Sequence, residues 1–126
     1  MKITLVVVAI LFFVPKLAGG TSLIGRPLDG SVLVHQCQIA IKVMDAAGAG
    51  TAEDIRAGAD CGNYVQGYRD GLDASKAICL RLDVANGVVV RAYSAFMQQH
   101  PEYLKKYEGD GLFAALRSNF RCSKPK

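Results

Sequence analysis

Cys37, Cys61, Cys79 and Cys122 are the side chains of this 126-residue chain with the clearest chemistry open to them. Four thiols can form two disulfides in an oxidising compartment, or ligate a metal in a reducing one. There is no Cys-x-x-Cys, no HExxH and no GxSxG, so the motifs that mark redox, zinc-peptidase and hydrolase sites are missing. His35 stands two residues before Cys37, but a His-x-Cys metal site needs the thiolate that a disulfide consumes. His100 precedes Pro101 and is expected to close a helix, its ring near the last carbonyls. Asp70 and Asp73 beside Arg69 fall on the polar side of a helical wheel and are expected to be solvated charge. No catalytic residue, metal site or cofactor is expected from these types and spacings, and the chain does not read as an enzyme.

The start of the chain sets the compartment. Met1-Lys2 is basic, Ile3 to Val14 is apolar, and Ala18-Gly19-Gly20 offers small residues for a signal peptidase. Pro15-Lys16 interrupts the apolar run well short of the ~20 residues that a spanning helix needs. A cleaved leader over 1–20 follows, with no membrane attachment after cleavage, and the cysteines are expected as disulfides in a bacterial periplasm. Without Lys2 and Lys16, the 15 basic residues fall to 13 against 11 acids, a net charge of about +2. That is too mild to indicate nucleic acid.

The elements that position the cysteines are helical. Residues 21–30 are rich in Gly and Pro and read as an extended arm before a domain at 31–126. Ser31 is expected to cap a first helix whose apolar stripe is Leu33, Cys37, Ala40, Met44 and Ala47, stopped by Gly48-Ala49-Gly50. Thr51 with Asp54 opens a second, with the stripe Cys61, Val65, Tyr68, Leu72, Ser75 and Cys79. A third is expected from about Val84 to Gln99, with Val88, Val89, Ala92, Tyr93, Ala95 and Phe96 inward and Pro101 ending it. Leu112, Phe113, Leu116 and Phe120 mark a short last helix after a connection over Pro101 to Gly111. No sustained alternation suggests a sheet. The expected fold is all-α: one small domain of about four helices stapled by two disulfides.

A continuous second helix would hold Cys61 and Cys79 about 27 Å apart at ~1.5 Å per residue, beyond the ~7 Å between Cα atoms that a disulfide allows. Two pairings remain. Cys37 with Cys61 and Cys79 with Cys122 is the preferred one, because it ties each end of that helix to a neighbour. Gly58, Gly62, Gly67 and Gly71 lie in the same segment, where each costs ~1 kcal/mol relative to alanine. Close crossing inside the core, through Gly58 as well as Gly62, Gly67 and Gly71, is the favoured account, and a dimer interface the other.

The ordered set Cys61-Gly62-Asn63-Tyr64-Val65-Gln66-Gly67-Tyr68-Arg69-Asp70-Gly71, Ile78-Cys79-Leu80, Tyr93, His100-Pro101-Glu102, Ala115-Leu116 and Phe120-Arg121-Cys122 resembles the Rap/Tai-type immunity proteins. Members usually carry prolines where this chain has Arg81 and Arg121. The resemblance implies a secreted helical protector, commonly a homodimer, that binds a cysteine-peptidase-type peptidoglycan amidase effector of type VI secretion and occludes its groove. The residues expected to contact that partner are Glu102, Tyr103, Lys105, Lys106, Tyr107, Glu108 and Asp110, since rigid aromatics and steering charges suit an interface. Two other readings compete: a small disulfide-bonded periplasmic chaperone resembling the HdeA-type acid-stress proteins, and a secreted enzyme without a visible site.

Overall fold

The computed structural model describes residues 29–123, so the expected leader and most of the arm lie outside the described residues. Four helices make the fold: α1 (Gly30–Asp45), α2 (Ala52–Ala74), α3 (Asn86–Gln99) and α4 (Glu108–Asn119), with a single 3-10 turn, Pro101–Tyr103, between the last two. Among the described residues there is no strand, only an isolated bridge between Asp29 and Tyr107. The all-α expectation therefore holds.

Capping begins two residues earlier than expected on α1. Asp29, rather than Ser31, is the N-cap, its carboxylate accepting from the Ser31 and Val32 N–H groups. Thr51 caps α2 as expected, its hydroxyl accepting from Asp54 N–H while the Asp54 carboxylate reaches back to Thr51 N–H. Both helices end in the same reversal. At the end of α1, Gly48 N–H reaches Val43 O at 2.8 Å with Ala47 at φ 53°. At the end of α2, Ala77 N–H reaches Leu72 O at 2.9 Å with Lys76 at φ 61°. These are Schellman closures with alanine and lysine where glycine is usual.

The second closure corrects the length of α2. The helix stops at Ala74 instead of continuing to Cys79, which lies in the following loop with its N–H on Phe120 O at 2.9 Å. The preferred pairing nevertheless forms. Cys37 bridges Cys61 with Cα atoms 5.1 Å apart, and Cys79 bridges Cys122 at 4.8 Å.

Leu33, Val34 and Cys37 of α1, Cys61 and Val65 of α2, Val89, Val90, Tyr93 and Met97 of α3, and Leu112, Ala115 and Leu116 of α4 make one core, with Ile78 beneath the loop. The inward face of α3 is rotated from the expected one. The run Val88-Val89-Val90 permits several registers, and packing selects Val89 and Val90 while Val88 and Ala95 stay exposed. Likewise α4 begins at Glu108, so the last part of the expected connection is its first turn. No helix among the described residues is long and apolar enough to cross a membrane.

Candidate functional site

The α3–α4 connection is a fixed element. His100 leaves the helical region before Pro101 at φ −129°, ψ 63°, as the proline ring requires. Its ring does not meet helix carbonyls; it stacks on Phe96 with centroids 4.1 Å apart, and Nδ1 lies 3.1 Å from the Glu102 carboxylate. The backbone N–H of Glu102 and this contact with His100 hold the Glu102 carboxyl below its ordinary range. Tyr103 and Leu104 N–H groups close the 3-10 turn onto His100 and Pro101 carbonyls, and the Lys106 ammonium sits 4.4 Å above the Tyr103 ring.

The other end of the connection is pinned to α1. Gly30 N–H donates to Lys106 O at 2.9 Å and Ser31 N–H to Leu104 O at 3.0 Å, so the loop satisfies donors that a helix N-terminus leaves open. A Cβ on Gly30 would strike the Tyr103 carbonyl and Met97. Gly30 is thus required by the approach of this loop. The Asp29-Gly30-Ser31 run is itself an N-cap signal, and it is the part of this region that sequence reasoning missed.

The first turn of α4 is pressed against the tyrosines of α2. A Cβ on Gly109 would lie 2.7 Å from the Tyr107 ring and 3.3 Å from Tyr68, and one on Gly111 would lie 2.7 Å from Met97 Sδ. The glycines let the helix end approach, and the Tyr68 hydroxyl then donates to Gly109 O at 3.1 Å. Tyr64 stacks beside Tyr68 with centroids 6.0 Å apart. Partial burial pushes the Tyr64 hydroxyl up, with further contributions from the Tyr107 hydroxyl and the Glu108 charge. Burial likewise raises Tyr68, aided by Tyr107 and Asp110. Burial and then Glu108 raise Tyr93, whose hydroxyl has no hydrogen-bond partner among the described residues.

Of the seven expected contact residues, the structure leaves Glu102, Lys105, Lys106, Tyr107 and Asp110 exposed, with Tyr107 at 54%. Tyr103 is half-buried against Phe96. Glu108 is a correction: at 8% exposure it faces the tyrosine hydroxyls at the α4 N-terminus, where the helix dipole favours its charge.

Other expected sites also differ. Asp70 pairs with Arg69 at 3.0 Å in the open, but Asp73 accepts Leu80 N–H at 2.9 Å and shapes the loop after α2. The glycine assignment is corrected in part. Gly58 makes the close crossing, with a Cβ there 3.1 Å from Ala40 Cα; at Gly62 the nearest group is Asn86 Nδ2 at 3.8 Å, and Gly67 and Gly71 face nothing within 4 Å.

His35 is exposed on α1, far in sequence from the connection, and its neighbour Cys37 is bonded to Cys61. Among the described residues, no group of three or more His, Cys, Asp and Glu could hold a metal ion. What the arrangement offers is a preformed surface of one exposed aromatic and mixed charges, held at both ends.

Comparison with known proteins matches residues 29–122 to the Rap1a immunity proteins. No curated protein and no solved structure matches the chain. The match spans α1 to Cys122, taking in both disulfides and the whole α3–α4 connection. A protein of this kind acts by binding a cognate effector. The chain belongs to the Rap1a immunity protein family.

Proposed function

We propose that this chain is a non-enzymatic periplasmic inhibitor, which binds a peptidoglycan amidase effector of type VI secretion and occludes its active-site groove. Membership of the immunity family carries this reading. Two disulfides support an oxidising compartment outside the cytoplasm, and residues 1–20 are the leader that would take the chain there, with 21–30 an arm before the helical domain. The contact surface is the α3–α4 connection, through Lys105, Tyr107 and Asp110, flanked by Glu102, Tyr103 and Lys106. Both ends of that loop are hydrogen-bonded to other elements, so little ordering entropy is lost when it engages a groove.

A homodimer is the proposed assembly. Its face is the groove of about 260 Å³ between α1, α2 and α3, lined by Val43, Met44, Ile55, Gly58 and Gly87 among others, where Met44 and Ile55 stay exposed.

Titration of the mature protein against the amidase encoded beside it, with activity followed in parallel, tests the function. Tight binding with loss of amidase activity is expected, and Tyr107→Ala with Lys105→Ala should weaken it at least tenfold, since exposed aromatics at an interface centre contribute about 2 kcal/mol or more. Full inhibition by that double variant would remove the loop from the interface. Ile55→Asp should give a monomer in sedimentation while leaving the fold intact.

A further inference from the structure

The Cys79–Cys122 bridge brings together two surface segments that carry cations. Cys122 Sγ lies 3.7 Å from Lys76 O, and Cys79 N–H holds Phe120 O, so residues 76–82 and 117–123 form one surface. The first segment contributes Lys76 and Arg81, the second Arg117 and Arg121. Of the acids nearest in sequence, Asp83 forms an ion pair with Arg81 at 2.8 Å, which takes both out of the charge balance, and Asp73 accepts Leu80 N–H from within the loop. From Arg117 to Lys126 the sequence has four cations, Arg117, Arg121, Lys124 and Lys126, and no acid.

Arg117 and Arg121 have no ion-pair partner among the described residues. With Ala114 and Ser118 they line an open depression of about 290 Å³, and the Arg117 guanidinium rides 5.6 Å over the exposed Phe113 ring. A cation in the last turn complements the dipole of α4, which accounts for Arg117. Arg121 lies beyond the helix, and the dipole gives it no role.

Leu82 is the second observation. It occupies the tip of the turn 81–84, closed by Val84 N–H on Arg81 O at 3.1 Å, and its side chain is fully exposed. Turn tips select Gly, Asn, Asp and Ser for conformational reasons, and a leucine there buries nothing within the chain. By chain length its Cα lies within about 11 Å of Cys79, the residue that the disulfide ties to Cys122.

We propose that this end of the molecule docks on an anionic lipid bilayer, with Arg117, Arg121 and Lys76 on lipid phosphates and Leu82 inserted at the acyl boundary. Planar guanidinium groups match phosphate oxygens two at a time, and a hydroxyl at Ser118 adds a donor to the same depression. The pairing of basic charge with a protruding apolar side chain is the combination that holds a protein at a lipid interface. A fluid bilayer needs no shaped slot, only charge and an apolar side chain that can enter it. The sequence expectation of no membrane attachment rested on cleavage of the leader, and the net charge of about +2 was weighed only against nucleic acid. That figure averages this end with the acidic first half of α2, Glu53, Asp54 and Asp60.

The test uses protein recovered from the envelope of bacteria expressing the full chain, with the leader's removal read from intact mass. It is cosedimented with vesicles of phosphatidylcholine alone, or of about three parts phosphatidylcholine to one of phosphatidylglycerol, the anionic lipid supplying the surface potential. Binding is expected with the anionic vesicles only, falling several-fold on raising salt. Arg117→Gln with Arg121→Gln should weaken it roughly thirtyfold, and Leu82→Ser by a similar factor, with amidase inhibition in solution unchanged. The chain has no tryptophan, so Leu82→Trp supplies a single indole whose emission should shift to the blue with anionic vesicles. Equal binding to both kinds of vesicle, no binding, or wild-type binding by the arginine and serine variants would overturn the proposal. Retention on a soluble polyanion without vesicle binding would do the same, and would assign the face to an acidic macromolecule.

Discussion

The disulfide that closes the shorter loop is the better buried of the two. Cys37–Cys61 spans 24 residues at the crossing of α1 and α2, and both cysteines are 0% exposed; Cys79–Cys122 spans 43 and joins two surface segments. Chain entropy alone ranks them the other way, at about 3.5 and about 4 kcal/mol. The difference shows that a staple inside a core contributes packing as well as closure, whereas a staple at the surface mainly decides where otherwise free segments lie.

Replacing the buried pair, Cys37→Ala with Cys61→Ala, is therefore expected to do the most damage. Lost closure and lost packing together come to about 5 kcal/mol, comparable with the whole stability of a small domain. Urea unfolding followed by circular dichroism should find little or no folded protein. Cys79→Ser with Cys122→Ser should cost about 2–4 kcal/mol and leave the helices in place. Under limiting reductant, mass spectrometry of alkylated protein should find Cys79 and Cys122 labelled before Cys37 and Cys61. The comparison breaks if the surface pair proves the costlier one to remove or the slower to reduce.

The same contrast explains which parts of the fold were legible in the sequence. Capping boxes, apolar periodicity and Pro101 are local signals, and they placed four helices and the capped start of α2. Where α2 ends is decided by Lys76 in a left-handed conformation, which carries no glycine signal. The pairing of cysteines survived that error because Cys61 lies well inside α2, where the helix crosses Cys37 of α1, wherever the helix ends. Within the α3–α4 connection, exposed Tyr107 and buried Glu108 are adjacent residues. That distinction is set by Tyr64, Tyr68 and Tyr93, contributed by distant segments, and no local pattern contains it.

Gly58 sharpens the comparison within α2 itself. A Cβ there would sit 3.1 Å from the Ala40 backbone, next to the buried disulfide. Gly58→Ala should therefore destabilise by about 1–2 kcal/mol through overpacking, despite the better helix propensity of alanine. A gain in the denaturation midpoint would mean that α1 can shift away, and that the crossing is less rigid than its disulfide suggests.

Acid is a gentler probe of the α1 end. The Ser31 hydroxyl holds the Asp29 carboxyl below its ordinary value, helped by the Val32 and Ser31 N–H groups, and Arg91 does the same for Asp45. A carboxyl lowered in the folded state contributes stability above its unfolded value, and loses it as pH falls through the folded one. Stability should be flat from neutral pH to about 5 and decline below about 4. Asp29→Asn should reduce the decline, since the amide cannot titrate. Unfolding already between pH 5 and 6, with binding of an apolar dye, would instead favour the acid-stress chaperone reading.

The smallest expected effect lies at the other half of α2. Gly67 and Gly71 are exposed and a Cβ at either meets nothing within 4 Å, so Gly67→Ala and Gly71→Ala should each raise stability by up to ~1 kcal/mol. Among the described residues nothing packs against these glycines to offset their cost, in contrast to Gly58. The informative measurement is stability and effector affinity on the same two variants. A gain in stability with unchanged affinity would mean that the face is unused. A gain accompanied by weaker binding would place a partner's backbone along the stripe from Tyr64 to Gly71, where only glycine lets two chains come close.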